Sequence, residues 1–168
     1  MLKIISFPVS YLCCNMLYIV DIQYYLHGAS KVLKEACLLP ILQPLRSKHF
    51  AFRSPFPRHA LSPRDLTTVN YVQLRLDTLH WEEEEDSLED FFSSCPAGAI
   101  LLCNGLEKTL FLQSVLPLCS IANVNIPFSN IFSSSYSLNM HHHCPIRPHL
   151  QCAVRRAYQL YNHFNDKQ

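Results

Sequence analysis

"SKVLKEACLLP", Ser30 to Pro40, is the stretch on which the reading of the fold turns. It reads as a short helix. Ser30 is a suitable N-cap, Val32, Ala36 and Leu39 share one face at helical spacing, and Pro40 lacks the amide needed to continue. With that segment helical, the strands have to be sought further along the chain.

Upstream, residues 4–20 carry no charge between Lys3 and Asp21. No small-residue cleavage site follows, so a secretory signal is a poor description. A bilayer-spanning helix needs about 20 apolar residues, and this run approaches that length only by tolerating Pro8 and Asn15. A buried apolar segment is the first expectation, and a membrane tether through residues 4–20 the alternative.

Downstream, "PILQPLRSKHFAFRSPFPRHALSPRD" holds five prolines and no apolar period, and reads as an extended basic linker. Phe50, Phe52 and Phe56 interleave with Lys48, Arg53 and Arg58, the mixture a single-strand nucleic-acid groove uses. Without a folded platform those charges give only weak, salt-sensitive binding, so a solvated connector is preferred and nucleic acid is not an expected partner. An acidic block, Asp65 to Asp90, follows the basic one.

In "TTVNYVQLRLDTLHW", Val72, Leu74 and Leu76 alternate with Gln73, Arg75 and Asp77, which predicts a half-buried strand. "WEEEEDSLEDFF" sets Leu88, Phe91 and Phe92 at helical spacing behind acidic residues that suit a helix N-terminus. Asn104-Gly105 between two apolar runs is a hairpin signal, although Leu106, Leu110 and Gln113 also fit a helix ending before Pro117. "IANVNIP" resumes alternation. The last segment is the clearest helix: Leu150, Val154, Ala157, Tyr161 and Phe164 fall on one line, with Arg155, Arg156, Gln159, Asn162 and His163 opposite. That stripe needs cover, by default from the chain's own core and otherwise from a partner.

The expected class is therefore α+β, a small irregular core of two to four short strands with two or three helices, partly disordered. It divides into an apolar N-terminal segment (1–35), the linker (36–66), the core (67–132) and a His-rich loop with the amphipathic helix (133–168).

At 168 residues with 49% hydrophobic content the chain can build one domain, and a net charge of +1 draws in no polyanion as a whole. Three glycines, where average usage gives about twelve, leave none of the glycine-rich phosphate loops, nucleophile elbows or dinucleotide fingerprints. Eight cysteines in a chain this long do not make a disulfide scaffold, and reduced thiols in an intracellular setting are expected.

"SLNMHHHCPIRPHLQC", Ser137 to Cys152, is the densest metal-ligand run. On a helix from His149, His149 and Cys152 share a face, whereas His163 lies about 16 Å beyond Cys152 along the axis. Cys144 with His143 or His141 completes the candidate zinc set, at spacings unlike the paired motifs of structural zinc sites. No cofactor is expected beyond that zinc. The leading functional expectation is a small non-enzymatic protein-interaction protein, its partner met through the C-terminal helix or the acidic segment. Patchy periodicity is equally what a chain without a selected function shows.

Overall fold

The computed structural model describes residues 16–76, 86–127 and 153–166. Its centre is a five-stranded mixed sheet: β1 (Leu17–His27), β2 (Ser30–Pro40), β3 (Lys48–Ala51), β4 (Ile100–Cys103) and β5 (Ser120–Asn123), in the order β3-β2-β1-β4-β5. Strands β1, β2 and β3 form an antiparallel meander, while β4 and β5 run parallel to β1 on its other side. Four helices are described: α1 (Pro63–Leu76), α2 (Leu88–Ser94), α3 (Leu106–Val115) and α4 (Ala153–Asn165). The class is α+β, as expected, with more strands and helices than the sequence suggested.

Ser30–Pro40 is a strand, which corrects the helix reading. Residues 33–39 are buried without a break, the pattern of a strand covered on both faces and hydrogen-bonded to neighbours on both edges. Lys34 and Glu35, which mimic a helix's wet face, are buried as well; Lys34 is the extra residue of a bulge and donates to the carbonyl of Phe52. The turn before β2 is two residues, Gly28-Ala29. Gly28 at φ +60° supplies the left-handed position such a turn requires at its first corner.

The alternating Val72, Leu74 and Leu76 belong to α1, a second correction. The stronger local instruction lies upstream in "LSPRD": the Ser62 hydroxyl accepts from the Asp65 amide, Pro63 takes the first helical position, and Leu61 and Leu66 close on the core across the cap. Nor is the basic segment an unstructured connector. It finishes β2 and supplies β3, and Phe50 and Phe52 are buried side chains rather than exposed stacking rings. Asn104-Gly105 does not form a hairpin. Gly105, at φ +120°, precedes α3, which carries the chain over to a parallel β5. Thr109 and Leu112 face the core there, leaving Leu106 and Leu110 exposed.

Each sheet face has its own core. On one, Ile19, Tyr25, Cys37 and Leu39 meet Val69 of α1 and Val154, Ala157 and Leu160 of α4. On the other, Val20, Ile22, Ala36 and Leu38 meet Phe91 of α2 and Leu112 of α3. The C-terminal stripe is thus covered by the chain's own sheet. Residues 17–20 of the uncharged N-terminal run lie in β1, and none of the described helices is long and apolar enough to cross a membrane.

Candidate functional site

The chain passes from β1 towards β2 and β3, then returns on β1's opposite side as β4 and β5. Such a reversal leaves a crevice beyond the carboxyl ends of the parallel strands, where ligands of open sheets bind. Here β4 pairs with only Leu17, Tyr18 and Ile19, so β1 runs on past it. A mostly apolar cleft of about 750 Å³ opens at that end, walled by Gln23–Leu26 of β1, Thr67, Thr68 and Tyr71 of α1, residues 104–108 leading into α3, and Arg156 of α4. Thr68 stands in for the missing strand, its hydroxyl bonded to both the amide and the carbonyl of Leu26.

Behind Gln23, Lys108 and Arg156 of the wall sits Asp21, a buried carboxylate that does not itself line the cleft. It accepts from Lys108 Nζ at 2.8 Å and Gln23 Nε2 at 3.1 Å, and Arg156 Nε lies 3.7 Å away. One carboxylate is therefore shared by two cations. The Lys108 ammonium is held below its ordinary pKa, chiefly by burial and further by the charge of Arg156, with Asp21 opposing both. Lys108 is in the first turn of α3, whose amides at Leu106, Glu107 and Lys108 precede the helical ladder and face an N-terminal dipole. No side chain caps that terminus.

A second carboxylate lies one strand over. Glu35 is fully buried across from Gln23; its Oε1 is 2.6 Å from His49 Nε2 and its Oε2 accepts the amide of Ala153, the first residue of α4, at 2.8 Å. Glu35 and Asp21 reinforce burial in pushing the Cys37 thiol well above its usual range.

Sequence reasoning missed this cluster. Asp21 marked the end of the N-terminal apolar run, whereas the run continues through it as "LYIVDIQYYL", and a lone charge inside a strand-like run was the available signal. Arg156 and Gln159, expected on the wet side of the last helix, are buried; Arg156 turns inward to Asp21. The zinc candidates His141, His143, Cys144, His149 and Cys152 lie outside the described residues. Among the described residues no group of three or more His, Cys, Asp or Glu could hold a metal ion. Comparison of the chain with protein-family models, curated proteins and solved structures gives no match.

Proposed function

We propose that the chain is a small non-enzymatic binding protein whose crevice beyond β1 and β4 takes an anionic ligand. The observation that carries this reading is the placing of Lys108, a largely desolvated cation on the cleft wall, beside an uncapped helix N-terminus. An anion in the cleft would engage Lys108 while meeting the first-turn amides of α3. An apolar concavity with a few convergent polar groups is the ordinary form of a small-ligand site. The protein-partner, membrane-tether and zinc readings draw no comparable support: the C-terminal stripe is already covered, and the metal candidates and most of residues 4–20 are outside the described residues.

The test is a titration of the full chain with inorganic phosphate, followed by amide NMR. Saturable millimolar shifts at Gly105 to Lys108, lost in Lys108→Met, are expected. Absence of such shifts in a folded protein overturns the reading.

A further inference from the structure

At the end of the sheet away from Gly28, β2 runs into a corner, residues 41–47, before the chain returns as β3. The corner is braced. The amides of Gln43, Arg46 and Ser47 donate to the carbonyls of Pro40, Gln43 and Pro44, and the Tyr158 hydroxyl of α4 donates to the Pro44 carbonyl at 2.7 Å. Leu45 nonetheless stands 82% exposed and Leu42 52%, so a fixed turn holds two leucines out in water. Beside them is a hollow of about 320 Å³ lined by Leu42, Arg46 and Lys48. Lys48 Nζ donates to the Ser94 hydroxyl at 3.3 Å, and among the described residues neither cation lies at ion-pair distance from a carboxylate. No acidic residue occurs from Ala36 to Arg64.

We propose that this corner docks the protein on a bilayer bearing anionic phospholipid: Leu42 and Leu45 enter the boundary between headgroups and acyl chains, while Arg46 and Lys48 meet lipid phosphates at the hollow. Cations facing a negatively charged leaflet and apolar side chains entering its boundary are complementary to it in both respects. Two projecting leucines fall short of the roughly 800 Å² per partner that a stable protein interface buries, whereas a lipid surface needs no matching shape. The path of the chain fits as well. The Leu17 carbonyl accepts the Ile41 amide at 3.0 Å, so residues 4–15, which carry no charged side chain, join the sheet beside this corner. Two cations and two leucines give reversible binding that weakens with salt. The inference is independent of the site at Lys108, which opens at the other end of β1.

Co-sedimentation of the full chain with vesicles tests this, using phosphatidylcholine alone and an equal mixture of phosphatidylcholine and phosphatidylserine. At low salt the chain should bind the mixed vesicles and not the neutral ones. Affinity should fall about fivefold in Arg46→Ala, by a similar factor in Lys48→Ala, and about tenfold in Leu45→Ser. All three side chains are exposed, so the variants keep the fold, which a thermal melt verifies. No binding to the mixed vesicles, equal binding to neutral ones, or binding that survives all three substitutions overturns the proposal. It is also overturned if inorganic phosphate shifts the amides of Arg46 and Lys48 while vesicles do not bind, which would assign a soluble anion. A Leu45→Ser effect on self-association of the vesicle-free chain, with vesicle binding unchanged, overturns it in favour of a protein contact.

Discussion

The two faces of the sheet are built on different principles. Under α2 and α3, Phe50, Phe52 and Phe91 form an aromatic knot, with Phe91 edge-on to Phe50 at 5.4 Å and 6.0 Å from Phe52. Under α1 and α4, the same strands bury Asp21, Gln23 and Glu35 among their apolar neighbours and answer them with Lys108, His49, Arg156 and a helix amide. The first face gains its stability from dispersion and area removed from water, and the second accepts a desolvation penalty in exchange for fixed charge at a cleft. The charged cluster and the aromatic knot thus lie on opposite sides of the sheet, with the start of α3 reaching across from one to the other.

Phe91→Ala strikes the dry face hardest. It should cost about 3 to 5 kcal/mol in urea unfolding, and a loss below about 1 kcal/mol would contradict the aromatic packing. Asp21→Asn should cost about 3 kcal/mol by leaving two buried cations without their carboxylate. Combining Asp21→Leu with Lys108→Met and Arg156→Leu should recover most of that stability while abolishing anion binding; failure to recover it would show the charges to be structurally required.

Alkaline pH probes both faces together. Burial pushes Cys103 up to about 12 and Cys37 well above its ordinary value, so the folded chain keeps these protons while unfolded thiols release theirs near pH ~8.5. Their contribution is complete below that pH and is lost as pH rises towards the folded values, roughly 1 kcal/mol per pH unit for each thiol. Urea midpoints in reductant should fall above pH ~8.5, and less steeply in Cys103→Ala; a flat profile would contradict the burial. The smallest effect is Ser87→Ala. Ser87 and Asp90 form a reciprocal cap at the start of α2, and its loss should cost about 1 kcal/mol by chemical unfolding.

What could be read from the sequence followed which forces act locally. The helix at Phe91 and the helix near the C-terminus have apolar spacing that matches their own geometry, and both are present. The α+β class was legible too. The meander was not, because β1 and β2 are covered on both faces and so lose the alternation that marks a strand, while their buried charges look like a helix's wet side. α1 failed in the opposite sense: three alternating residues suggested a strand, but the cap at Ser62 and Pro63 had already committed the chain to a helix. The candidate site was barely legible, since Lys108 lies 87 residues beyond Asp21, with Arg156 further on still, and the three meet only through the sheet.

The hydrogen bond from Ala153 to Glu35 spans 118 positions of sequence. On the ribosome, the carboxylate at the middle of β2 is made early and its amide donor late. The meander can pair as it emerges and bring His49 to Glu35, but the amide of residue 153 reaches the other carboxylate oxygen only when the last helix has been translated and has docked. Synthesis order therefore leaves the apolar face free to consolidate first, and a ribosome stalled before that point would present a nascent sheet still lacking the cover of its last helix.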